Sequence, residues 1–236
     1  MSEISTQQDG QPAQLLLPSF FDKPAPLLAL RLLGKVLRRT ITVAGVEHCL
    51  SVRIIETEAY QLSDRASHSS LGFTVKRRAM FMNPGTVYMY YARGRDSLNF
   101  SARGDGNAVL IKSGIAYLDE TSPKSTISIM HQLNPGTNVP RATANLCSGQ
   151  TLLCRSLDLK VARWNEETLT TPEFNIVDCG YQPREVIQCR RLGIPEGRDE
   201  MLKQRYVDLN HATQCTSNPL TKRHWTSDVD YHILRP

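Results

Sequence analysis

The stretch Lys35–Tyr60, KVLRRTITVAGVEHCLSVRIIETEAY, decides the fold. Two runs rich in β-branched residues, Lys35 to Val43 and Val46 to Tyr60, flank Ala44-Gly45. Runs of this kind around a two-residue turn predict an antiparallel hairpin. Within the second run, strand alternation places Glu56, Glu58 and Tyr60 on one face and Ile55, Thr57 and Ala59 on the other. Two carboxylates and a phenol at the end of an apolar strand make an unusual outward face. A lone glutamate would be read more simply as half of a surface ion pair, so the neighbours of this strand carry the argument.

Working outward, Phe20 to Leu33 has apolar residues at helical spacing after Pro24 and Pro26, and Gly34 can end the helix. Asn83-Pro84-Gly85 reads as a turn before an aromatic strand, Thr86 to Tyr91. Gly104-Asp105-Gly106 precedes an apolar strand, Ala108 to Ile111. Helices are expected at Ile127 to Leu133 and Gln150 to Leu157, the second capped by Ser148. Val186 to Cys189 reads as a strand, and after Gly193 the periodicity fades. Strands and helices without a βαβ rhythm predict an α+β fold with a curved, mainly antiparallel β-sheet flanked by helices. The expected organisation is a disordered tail over residues 1–15 and a single domain over 16–236.

With 236 residues and 40% hydrophobic content, the chain can bury a sizeable core. No apolar run approaches the ~18 residues that span a bilayer, so no membrane partner is expected. The polar N-terminus MSEISTQQDGQPAQ lacks a secretory apolar core, which points to an intracellular protein: cytoplasm or nucleoid in a bacterium, nucleus in a eukaryote. Six cysteines form no CxxC pair and six histidines no HxxxH pair, so neither a disulfide framework nor a metal site is expected. No glycine-rich phosphate loop is present, so no nucleotide cofactor is expected either. The net charge of +5 is local: residues 76–112 hold seven basic and two acidic side chains, leaving 21 of each sign elsewhere. A concentrated basic excess is what a phosphate backbone would meet, although a solvated face has the same composition.

Beyond the strand end lie Ala66-Ser67-His68-Ser69 and the aromatic run Met80-Phe81-Met82-Asn83-Pro84-Gly85-Thr86-Val87-Tyr88-Met89-Tyr90. Leu98-Asn99, Gly104-Asp105-Gly106-Asn107-Ala108-Val109-Leu110-Ile111 and Leu146-Cys147-Ser148-Gly149 follow in order. Together with Phe20-Phe21-Asp22, Leu33-Gly34 and the ETEAY block, this pattern over about residues 18 to 195 resembles the alkyladenine (3-methyladenine) DNA glycosylase family, the mammalian-type N-methylpurine enzymes.

The resemblance implies a fold like the tRNA-contacting C-terminal domain of formyltransferases. It also implies a monofunctional enzyme that acts without a cofactor or metal, as a monomer with no obligate protein partner. The substrate would be double-stranded DNA with alkylated, and also deaminated or etheno, purines, excised to start base excision repair. Glu58 matches the family's catalytic carboxylate, a general base for water attack at C1′. A base inside a duplex must first be flipped into a pocket. Tyr60, His68 and Tyr90 match the rings that stack on it, with a cation–π contribution for cationic lesions. Ordinary core packing would explain Tyr88 equally well. Asn99 matches the residue that crowds the amino group of a normal guanine. Arg77, Arg78 and Lys112 fall where backbone contacts are expected; as an amine nucleophile Lys112 would imply strand-cleaving chemistry, which the family matches argue against. Glu56 is read as a structural partner of Arg53 or a helix end.

Two positions depart from the family pattern. Arg93 stands where relatives carry a wedge tyrosine, and a guanidinium can fill the vacated gap while meeting phosphate. Gly149-Gln150 replaces Gly-Pro, which makes Cys147-Ser148-Gly149 a structural loop and cap. The alternative is a non-catalytic nucleic-acid-binding module on the same fold; a zinc deaminase lacks its H-x-E and P-C-x-x-C signatures.

Overall fold

A computed structural model describes residues 12–169, 171–222 and 225–236. Residues 1–11, most of the expected tail, lie outside the described residues. The remainder of that segment is not tail: Gln14–Leu15 form a short strand, β1. The helix expected over 20–33 is two, α1 (Pro18–Phe21) and α2 (Ala25–Leu32). Pro24 caps α2 and Pro26 sits in its first turn, positions that need no donated amide, whereas neither ring could sit inside a continuous helix.

The predicted hairpin is present as β2 (Val36–Val43) and β3 (Val46–Tyr60). Val43 pairs with Val46, and Ala44 and Gly45 between them have φ of 50° and 82°. Both angles are left-handed, as the tightest hairpin turn demands. The further strands are β4 (Val87–Ala92), β5 (Arg95–Ser101), β6 (Ala108–Ala116), β7 (Phe174–Asp178), β8 (Val186–Cys189), β9 (Arg205–Asp208) and β10 (Tyr231–Leu234). Helices α3 (Thr126–Leu133), α4 (Gln150–Ser156) and α5 (Val161–Trp164) complete the set, with 3-10 segments at His68–Leu71, Val75–Phe81, Thr143–Asn145 and Leu209–Gln214. Helix α4 begins on Gly149, at φ 108°, without a side-chain cap; Ser148 is not its cap as expected. The Gly149 amide donates instead to Ser113 Oγ at 3.0 Å.

Among the described residues the strands form one open sheet of order β1-β7-β2-β3-β6-β5-β4, and every pairing of its strands is antiparallel. Strand β3 forks this sheet. Its first half pairs with β2, and Glu56–Glu58 pair instead with β9, which leads on to β8 and β10. The fold is therefore α+β, with helices flanking a mainly antiparallel sheet. Helix α2 packs Leu28, Ala29 and Leu32 against the sheet, and Trp164 of α5 fills the core beside Phe174 at 5.3 Å. Burying each large apolar side chain of this kind contributes about 1.5–3 kcal/mol.

The position of the site depends on an irregularity that the alternating pattern hid. Leu50, Val52 and Ile54 of β3 face the main core. Two register shifts follow, one between Ile54 and Glu56 and one between Glu56 and Thr57. Beyond them Ala59 faces that same core and Thr57 Oγ1 donates to the Ala29 carbonyl of α2, although the odd-even parity has changed. Ile55 joins a separate cluster with Ile187 and Val207 rather than siding with Thr57 and Ala59. A bulge re-aims side chains in this way. Without it, Glu56 and Glu58 would share the apolar face of Ile54.

Candidate active site

An open cavity of about 800 Å³ lies over the end of β3. Tyr60, His68, Tyr88, Tyr90, Asn99 and Lys112 line it, and the loop Leu192–Pro195 with Arg198 forms the far wall. The volume lies within the usual range for small-molecule sites. Strands β3, β4, β5 and β6 thus deliver the expected ring and amide side chains to one place.

Glu58 is fully buried beneath this cavity rather than on an outward face. Tyr60 donates its hydroxyl to Glu58 Oε2 at 2.7 Å. The other oxygen, Oε1, accepts no hydrogen bond and lies 3.3 Å from Lys112 Nζ. A buried carboxylate oxygen without a donor is rare enough to need an explanation. Lys112 is only 14% exposed in its side chain. Its amine faces the carboxylate, and Lys112 also lines the cavity.

The rings line the cavity together. His68 packs edge-on against Tyr90 at 4.3 Å between centroids, and its Nδ1 lies 3.0 Å from the Tyr88 hydroxyl. Tyr88 and Tyr90 stack at 5.6 Å, so Tyr88 belongs to the wall as well as to the packing. Among the described residues no ring contact joins Tyr60 to His68 or Tyr90, although all three line the cavity. Burial holds the imidazole of His68 below its ordinary pKa, with Arg77 and Arg198 adding to the shift. Burial, reinforced by the Glu58 charge, pushes the Tyr60 phenol well up, and burial raises Tyr88 to about 12. The walls near neutral pH are therefore uncharged rings. Asn99, 4% exposed, donates its amide to the Tyr88 carbonyl at 3.1 Å, a bond that fixes its orientation on the lining.

The arginines divide by environment. Arg93 and Gly94 have φ of 51° and 76° at the β4–β5 hairpin tip, closed by the Ala92–Arg95 pair. Arg93 and Arg95 are exposed and line the cavity mouth. Arg78 is held by Glu166, to which its Nε donates at 3.1 Å, and Arg77 donates to the Gly72 carbonyl at 3.3 Å. Neither of the last two lines the cavity.

Glu56 is structural, but its partner is not Arg53. Arg205 Nε donates to Glu56 Oε1 at 2.7 Å, and Thr216 Oγ1 donates to the same oxygen at 2.6 Å. Ser113 Oγ donates to Oε2 at 2.5 Å. Burial alone would raise this carboxyl, but Arg205 and the hydroxyl donors outweigh it and leave the pKa lowered. Arg53 instead lies 4.4 Å from the Tyr181 ring and 4.9 Å from that of Tyr117.

Sequence reasoning missed the segment that closes the site. Arg191 and Leu192–Pro195 straddle the point at which periodicity fades, Arg198 and Arg205 follow it, and β9 is only four residues long. A fully buried arginine such as Arg205 has no local signature in sequence. Among the described residues no cluster of three His, Cys, Asp or Glu side chains could hold a metal ion.

Comparison with known proteins supplies the family. The family pattern described as Methylpurine-DNA glycosylase (MPG) matches residues 19–212. A Pseudomonas aeruginosa (strain LESB58) protein named "Putative 3-methyladenine DNA glycosylase" is 49% identical over 223 residues, 94% of this chain and 91% of the relative. A Pseudomonas syringae pv. syringae relative of the same name is 50% identical over 216 residues, 91% of this chain and 95% of its own. A third, from Methanocella arvoryzae, is 32% identical over 203 residues, 84% of this chain and 93% of its own. The chain belongs to the methylpurine-DNA glycosylase family, and it is a DNA glycosylase.

Proposed function

We propose that this glycosylase excises alkylated purines, and deaminated or etheno purines, from duplex DNA by a single water attack at C1′, with Glu58 as general base. The observation that carries this reading is the buried Glu58 Oε1, free of hydrogen bonds and 3.3 Å from Lys112 Nζ below the cavity floor. A water that bridges that oxygen and the ammonium group from the cavity side would be oriented by both and deprotonated by the carboxylate as the base leaves. Tyr60 occupies the other oxygen, which leaves Oε1 as the oxygen that accepts from the water. The carboxylate also steadies the oxocarbenium-like charge that develops on the sugar.

An extruded purine fits between Tyr60 on one side and His68 with Tyr90 on the other. Stacking of this kind is worth about 1–3 kcal/mol per base, and uncharged, electron-rich walls favour a cationic lesion further. Asn99 on the lining opposes the exocyclic amino group of a normal guanine. Arg93, at the tip of a two-residue turn over the mouth, would fill the gap in the duplex, and the exposed Arg95 would meet phosphate. The enzyme is read as a monomer needing no cofactor or metal, acting inside the cell.

Glu58→Gln tests the reading. The variant should bind a duplex carrying 7-methylguanine as the wild type does, yet release the base about 10²–10⁴-fold more slowly in single turnover. Wild-type release would remove Glu58 from the mechanism.

A further inference from the structure

We propose that the Arg191–Asp64 ion pair is a positioning device that sets the separation of the two walls of the base slot and, through Tyr60, the placement of Glu58. The inference rests on the reading of the slot given above.

The Arg191 guanidinium lies 4.6 Å from the centroid of the Tyr60 ring. Tyr60 lines the cavity and Arg191 does not, so the guanidinium supports the ring from the side away from the slot. Its Nη1 donates to the carbonyl of Ala59, the residue before Tyr60 on β3, at 3.1 Å. Both terminal nitrogens also bind Asp64, Nη1 to Oδ2 and Nη2 to Oδ1, the latter at 3.1 Å. Asp64 in turn organises the opposite wall. Its Oδ1 accepts the Ala66 amide at 2.9 Å and its carbonyl accepts the Ser67 amide at 2.8 Å, which shapes the turn that delivers His68. One planar group therefore touches the supports of both walls. The Tyr60 hydroxyl carries the constraint on to Glu58 at 2.7 Å.

Arg191 and Asp64 are 5% and 4% exposed. Two charges so deeply buried lose several kcal/mol of hydration each, and a packed apolar pair would serve stability as well. What an apolar pair cannot supply is a flat fork that covers a ring and binds a carboxylate at once. Lysine cannot supply it either.

Arg191→Met, Arg191→Lys and Asp64→Asn test the proposal in the full-length enzyme. Single-turnover release of 7-methylguanine and hypoxanthine is scored per active site, titrated with a duplex carrying a tetrahydrofuran abasic analogue. Release should fall about 10–100-fold in Arg191→Met, the cost of an ångström-scale misplacement. Affinity for the analogue duplex should stay within about two-fold, since Arg191 lies beneath the contact surface. Arg191→Lys should not restore the rate, and Arg191→Met with Asp64→Asn should be no slower than either alone, as members of one unit behave. A purely structural role would lower Tm and the active fraction while leaving the rate per active site unchanged; that outcome overturns the proposal, as does full rescue by lysine or additive losses. Should Arg191→Met fail to fold, the isosteric Asp64→Asn makes the same comparison. An active Glu58→Gln enzyme would defeat the underlying reading and is a separate observation.

Discussion

At the scale of single residues, the proposed stacking role of His68 makes its protonation state a test of lesion preference. His68 is held neutral because burial, with Arg77 and Arg198 nearby, keeps its pKa below the ordinary 6.5. Acidification through that lowered value places a positive charge on the wall against which the base would stack. Excision of cationic 7-methylguanine should then fall more steeply than excision of neutral hypoxanthine as the pH drops below 6.5. The difference should vanish in His68→Gln; equal slopes in the wild type would show that His68 does not face the base. Stability follows the same sign. The unfolded chain takes up this proton first, so the contribution of His68 declines as the pH falls from 6.5 towards the folded value.

At the scale of elements, β3 carries two carboxylates two residues apart that do opposite work. Glu56 is anchored to Arg205 of β9, and both side chains are fully buried. Removing one partner of such a pair costs about 3–5 kcal/mol, because the other charge is left buried and uncompensated. Glu56→Gln should therefore shift the urea midpoint markedly downward with its residual folded enzyme still active. Glu58→Gln should do the reverse. A Glu56→Gln variant as stable as the wild type would mean that β9 is held by its backbone pairing alone. The folded pKa of Glu56 is depressed, so the stability it adds is complete above 4.5 and is lost as the pH falls through the lower folded value. The bulge that separates Ile54 from Thr57 is what lets one strand serve the apolar core, this ion pair and the carboxylate proposed as general base in succession.

At the scale of the whole molecule, the charge excess of residues 76–112 is divided between the cavity mouth and internal ties. Arg93 and Arg95 are exposed at the mouth, whereas Arg78 is committed to Glu166 and Lys112 faces Glu58. Each arginine that meets a phosphate should contribute about 0.9 to the slope of log affinity against log salt. Arg95→Gln should lower that slope by about one while leaving single-turnover release intact. Arg93→Gln should lower the slope and slow release as well if Arg93 fills the gap in the duplex as proposed; a change in slope alone would confine Arg93 to phosphate. The hairpin, the mainly antiparallel sheet and the ring and carboxylate motifs were legible in the sequence because they are local: alternation, turn residues and short ordered blocks suffice to state them. The proposal of Glu58 as general base rests on the same local blocks. The break in alternation at Ile55, the true partner of Glu56, the inward turn of Lys112 and the support of Tyr60 by Arg191 were not. Each joins residues far apart in the chain, such as Glu56 with Arg205 or Asp64 with Arg191, and depends on a register that only the packed sheet selects.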